Sequence, residues 1–147
     1  NRNDIASVSV LRDSENLYFR IETLAPITTY VSGDEGWMNL LIKTTNGGNL
    51  FNGYNYIINT APKSDGTTNV MKAGKNNSLK ESGRAQYAVK DNVLQIKVPL
   101  SALGLSETNY EIQFKVTDNV GGYEDYLNLY DTGDSAPVGR LNYTFGY

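Results

Sequence analysis

Cysteine and histidine are both missing from this chain, and tryptophan occurs once. Without a thiol or an imidazole there is no Ser/His/Asp or Cys/His nucleophile system of the usual kind, no thiolate zinc site, no haem held by imidazole and no redox dithiol. Only carboxylates, Lys, Tyr, Ser and Thr remain as reactive groups. Basic charge is scarce as well: 13 Lys and Arg face 16 Asp and Glu, a formal net charge of −3. Nucleic-acid and anionic-membrane surfaces need clustered Lys and Arg, so neither is expected as a partner. No apolar run approaches the ~18 residues that a membrane-spanning segment requires.

The 147 residues fit one domain, 1–147, able to bury enough surface to stand without a disulfide or structural metal. The chain opens on Asn1, with neither a basic nor an apolar leader pattern behind it. That start reads as a processed product or a C-terminal module of a larger protein. Hydrophobic period two dominates, as in Leu17-Tyr18-Phe19-Arg20-Ile21-Glu22, Leu94-Gln95-Ile96-Lys97-Val98 and Ile112-Gln113-Phe114-Lys115-Val116. Alternation of this kind marks strands with one face buried and one wet. Asp13-Ser14-Glu15-Asn16, Thr45-Asn46-Gly47-Gly48 and Asp91-Asn92 supply turns between them. The pattern predicts strands near 5–12, 17–24, 37–44, 54–59, 67–73, 84–90, 93–99, 110–117, 126–130 and 140–146, with one helical turn at Leu100–Leu105. Segments 63–67 and 74–83 look like exposed loops. The fold class is all-β and antiparallel, a sandwich or a barrel.

The order of segments also resembles a known group. Asn3-Asp4-Ile5 leads to Glu15-Asn16-Leu17-Tyr18-Phe19, Trp37-Met38, Gly53-Tyr54, Val98-Pro99 and Asp118-Asn119, and the chain ends on Gly133-Asp134-Ser135-Ala136-Pro137 with Gly139-Arg140-Leu141-Asn142-Tyr143. Over almost its whole length this is similar to the β-sandwich domains related to family 9 carbohydrate-binding modules, the DOMON-like group attached to bacterial secreted glycan-degrading enzymes. The resemblance implies an antiparallel, jelly-roll-like β-sandwich. Relatives carry further N-terminal sequence forming an early strand, so it also implies that this sandwich lacks a strand or takes one from another chain. It implies, too, a secreted, cell-surface or periplasmic location, and as partners a polysaccharide or oligosaccharide and the other domains of a parent protein.

Sugars stack on flat aromatic faces while nearby amides and carboxylates satisfy their hydroxyls. Trp37, where the Ser32–Gly36 loop meets a strand, is the first candidate, the alternative being an indole that plugs the end of the core. Tyr54, Asn52 and Asn55 form a second group with Tyr56, whose shared face with Ile58 marks it as core. Tyr123, at the Gly121-Gly122 turn, completes the carbohydrate-binding set. Carboxylates gather nearby, and loop oxygens suit calcium, so Asp118, Asp125 and Asp131 are the candidate ligands of a structural calcium; no other cofactor is expected. The alternative is that these are solvated turn residues. Arg140 is expected to pair with Asp134 and tie the last loop to the sheet.

Adjacent acids such as Asp34-Glu35 and Glu124-Asp125 point in different directions, whereas glycoside hydrolysis needs two carboxyls facing each other across about 5–9.5 Å. The expectation is a non-catalytic carbohydrate-binding module that targets a glycan-degrading enzyme to polysaccharide. A structural accessory sandwich packed on a glycoside hydrolase, without a ligand of its own, is the alternative; it predicts an exposed apolar patch or an unpaired strand edge.

Overall fold

Asp13 builds the first reversal. In the computed structural model, which describes residues 2–147, its Oδ1 accepts from the backbone N–H groups of Glu15 and Asn16 at 2.8 and 2.7 Å. This Asx turn folds β1 (Ile5–Arg12) back onto β2 (Asn16–Thr23). Asp91, at a left-handed φ of 54°, turns β6 (Leu79–Lys90) into β7 (Val93–Pro99), a conformation that a short polar side chain tolerates. The remaining strands are β3 (Asn39–Thr44), β4 (Tyr56–Ile58), β5 (Thr67–Ala73), β8 (Glu111–Asp118), β9 (Asp134–Ala136) and β10 (Tyr143–Gly146). A 3-10 turn spans Leu100–Leu103, and α1 is a single turn at Asn128–Asp131.

The strand order is β1-β2-β7-β6-β5-β4-β3-β8-β10, with β9 on the other end of β8. Every neighbouring pair is antiparallel, so the fold is all-β as expected, built as one continuous sheet. That sheet curls over on itself. Phe19 of β2 and Phe114 of β8 lie near opposite ends of the order, yet their ring centroids are 5.2 Å apart in edge-to-face contact. The inward positions of nearly all strands, among them Leu17, Ile21, Leu40, Ile42, Val70, Ile96 and Val116, join in a single core. The seam closes at one end where the Asp134 carboxylate accepts from the Ile5 N–H at 2.6 Å.

The two halves of the sheet differ on their outer faces. β3 is buried on both sides, because Leu41 points outward into a second cluster with Phe51, Tyr54, Ile57, Val120 and Leu129. Chain segments 48–54 and 119–142 supply that cover. β2 and β7 instead keep the alternation of a strand with one wet face. The outer surface of β1, β2, β7 and β6 is therefore left open.

Most expected strands fall where the alternation put them, but three readings change. The strand expected at 126–130 is the helical turn α1: Asp125 Oδ1 accepts from Leu127 N–H at 2.9 Å, Tyr126 and Tyr130 pair across the turn at 6.5 Å, and within α1 only Leu129 is buried. A local side-chain turn ahead of α1 and a single inward residue within it outweigh a weak alternation there. The loop expected at 74–83 shrinks to a turn, since β6 begins at Leu79. β9 was not expected at all; its three residues form a strand only because β8 offers them an edge.

Lys115, on the outward face of β8, is fully buried, and its ammonium donates to the carbonyl oxygens of Pro137 and Gly139, the latter at 2.9 Å. It thereby pins the last crossing of the chain onto the sheet. Burial pushes its pKa down from the ordinary 10.5 to about 8. Between these values the unfolded chain keeps a proton that the folded chain has released, so stability is expected to rise with pH across that window, by on the order of 3 kcal/mol from this group. Urea midpoints measured at pH 7.5 and 10 should show the rise in the parent and its loss in Lys115→Met.

Candidate functional site

The expected sugar platform is inside the protein. Trp37 is 2% exposed, its Nε1–H donates to the Thr28 carbonyl at 2.9 Å, and Tyr30 and Tyr87 pack against its ring at 5.6 and 6.3 Å. It closes one end of the core and gives only an edge to a shallow cleft of about 350 Å³ beside it. That cleft is mostly apolar, and its tyrosine hydroxyls are committed: Tyr87 donates to the Lys63 carbonyl and Tyr30 accepts from the Gly33 N–H.

The second expected group comes together, but as structure. Tyr54 is buried in the outer cluster and its hydroxyl donates to Asn142 Oδ1 at 2.7 Å, burial pushing its pKa well up. Asn55 is buried too, its Oδ1 accepting from Thr44 N–H and its Nδ2 donating to the Asn49 carbonyl. Half-buried Asn52 donates to the Tyr123 carbonyl at 2.8 Å. Tyr123 packs on Phe51 and donates its hydroxyl to Asn39, with its pKa also raised by burial. Tyr54 and Asn55 are closed to solvent, and Asn52 and Tyr123 are partly exposed with their polar groups committed to the fold. Period two would set Tyr54 on the face of Tyr56 and Ile58, but it lies in the outer cluster, under a cover over β3 and β4 that no local pattern announces.

The carboxylates are likewise spent on the fold. Asp118 is fully buried and accepts from Arg2 Nε and Nη2 at 3.1 and 2.8 Å, from Asn3 N–H at 3.2 Å and from Met38 N–H at 3.0 Å. Arg2 also pairs with Asp34. Asp125 holds the turn before α1 by accepting from Leu127 N–H and Asp131 lies exposed on α1, so the three expected calcium ligands do not converge. Among the described residues no group of three or more acidic side chains is placed to hold a metal. Arg140 lies over the Tyr130 ring at 5.7 Å instead of pairing with Asp134, which serves Ile5. Gly133 has a positive φ of 65° and runs so close to the Asp118–Asn119 backbone that a Cβ would collide with it.

The open outer face holds a concavity of about 600 Å³. Cross-strand register lays two rows of side chains over it. One runs Leu11, Tyr18, Lys97, Gln86 and the next Ser9, Arg20, Gln95, Ala88. Tyr18 is half-buried, and its hydroxyl donates to Asp13 Oδ2 at 2.7 Å, which fixes the ring on the floor of the groove. That hydrogen bond, with the Glu15 N–H behind it, holds the Asp13 carboxyl down to a pKa of about 2. Arg20 forks onto Glu22 through contacts of 2.7 and 2.9 Å, and this pairing keeps Glu22 below the usual carboxylate range. The lining offers the held rings of Tyr18 and Tyr87, two amides, a serine hydroxyl and two cations.

Sequence reasoning placed Tyr18, Arg20, Gln95 and Lys97 on wet strand faces without seeing them as a site. The signal was present: a tyrosine at a solvent-facing position of a strand, beside two strands' worth of long polar side chains. No family model, curated protein or solved structure matches the chain.

Two outcomes check these assignments. Asp118→Ala should cost about 3 kcal/mol, since it strips the Arg2 guanidinium and two backbone donors of their shared acceptor; chemical denaturation reads this, and calcium should leave the parent's melting temperature unmoved. Trp37→Ala should cost about 3–5 kcal/mol, the range for an aromatic core truncation.

Proposed function

We propose that this protein is a non-catalytic carbohydrate-binding module whose recognition surface is the groove across β1, β2, β7 and β6. The observation that carries the reading is the Tyr18 ring, held by Asp13 and bordered by Gln86, Gln95 and Ser9 in a concavity of about 600 Å³. A pyranose needs an apolar ring face to stack on and amides or hydroxyls within reach of its own hydroxyls. The groove supplies both on rigid strands. Its lining contains no carboxylate, so it offers no acid and base to break a glycosidic bond. In this role the module holds a secreted glycan-degrading enzyme at its polysaccharide. Affinity from one platform is modest and is multiplied when the parent protein engages the same polymer.

One observation favours a second reading, a structural accessory domain packed on a catalytic neighbour. Val138, Leu141 and Tyr147 are 71%, 67% and 61% exposed, and β10 stands at the end of the strand order with an unpaired edge. Such a surface suits a covering domain.

Affinity electrophoresis against a panel of plant, algal and host glycans separates the two. The binding-module reading expects retardation by at least one polysaccharide and its loss in Tyr18→Ala, with the melting temperature within about 2 °C of the parent because the side chain lies outside the core. No retardation by any of them supports the accessory reading.

A further inference from the structure

The groove has a charge that the protein as a whole does not. In a chain of net charge −3, its lining carries Arg20 and Lys97 and no carboxylate. The two cations are not equivalent. Arg20 is occupied by Glu22, and the other nearby acid, Asp13, is taken up by Tyr18 and the turn N–H groups. Among the described residues Lys97 makes no ion pair. Its ammonium lies over the Tyr18 ring, 5.8 Å from the centroid, so it borders the same ring on which a sugar would stack. The concavity continues past Gln95 into a second hollow of about 340 Å³ that adds Lys90, with Asp91 at its far end.

We infer that the groove is built for an acidic glycan, one whose pyranose rings carry carboxylate or sulfate groups. The inference rests on the binding-module reading above and names the substrate class of that same site. The ring of one residue stacks on Tyr18, and its anionic substituent meets the Lys97 ammonium. A charge-assisted hydrogen bond from an uncommitted ammonium is stronger than a neutral one. An unpaired cation in a groove is also the group whose desolvation a neutral sugar would leave uncompensated. Arg20, already neutralised, positions hydroxyls and adds little net attraction. Lys90 meets a second anionic group further along the polymer.

The test compares four immobilised or gel-embedded polymers with the intact chain: polygalacturonate, which supplies carboxylates; a sulfated galactan, which supplies sulfates; neutral xylan; and polyglutamate, a polyanion without sugar rings. The expected result is binding to polygalacturonate, the sulfated galactan or both, weakened about tenfold by Lys97→Gln, retained in Lys97→Arg and lost in Tyr18→Ala. Raising NaCl from 50 to 500 mM should weaken it several-fold. Which polymer is retained tells carboxylate from sulfate. Binding to xylan that is lost in Tyr18→Ala but indifferent to salt and to Lys97→Gln overturns the acidic-glycan assignment and leaves the binding-module reading standing. Equal binding to polyglutamate overturns the assignment by removing the sugar ring from it. No binding to any glycan overturns both.

Discussion

One buried carboxylate holds the ends of this fold together. Asp118 sits at the tip of β8 and gathers the Arg2 guanidinium and the backbone donors of Asn3 and Met38. The chain just before β1 is thus tied to a strand near the far end of the sheet, and the loop entering β3 is tied to the same point. A curled sheet with ten strands has no hydrogen-bonded ladder to join its first strand to its last. Asp118, with Asp134 reaching Ile5 N–H, does that with side chains. An unpaired carboxylate there would be costly in so buried a place, and the guanidinium plus two backbone N–H groups give it the partners that a buried charge requires. Gly133 belongs to the same junction, since only a residue without a Cβ can pass so near the Asp118 carbonyl.

Closure of this kind decides which surfaces are free. The chain after β8 must return across the outside of β8 and β3 to reach β10, and it carries Val120, Leu129 and the Lys115-binding carbonyls with it. That traffic buries the outer side of one half of the sheet. In the other half β1 joins β2 and β6 joins β7 through short turns, and the outer face of these strands stays uncovered. Its long side chains then stand over a floor in which Tyr18 is the ring on the outward face of β2.

Strand placement was legible in the sequence because period two and the Asp-centred turns act within a few residues. The positions of Leu17, Phe19 and Ile21 inward and Tyr18, Arg20 and Glu22 outward follow from alternation alone. What alternation does not carry is which outer face another part of the chain will cover. Tyr54 looked like a platform for that reason, Trp37 because its place between a loop and a strand does not reveal that the ring turns into the end of the core, and Asp118 looked like a metal ligand because its partner, Arg2, is more than a hundred residues away along the chain. The helical turn at α1 was missed because the turn that leads into it rests on a side-chain contact two residues long. The candidate groove was hidden in another way: each of its strands was read correctly, but the strand order that sets β2 beside β7 and β7 beside β6 is a property of the whole sheet.

The groove includes β1, the strand at the rim of the sheet. β1 borrows its ladder from β2 alone; beyond that it packs Ile5, Val8 and Val10 onto the core and is tied near its two ends, at Ile5 and at Arg12, which donates to the Glu107 carbonyl. Rim strands of this sort are the first to open in local fluctuations. A polymer lying across Ser9, Arg20 and Gln95 would span three strands at once and act as a staple. Occupancy and rim order are then thermodynamically linked, and a module tethered to an insoluble substrate would be reinforced at the strand most easily peeled away.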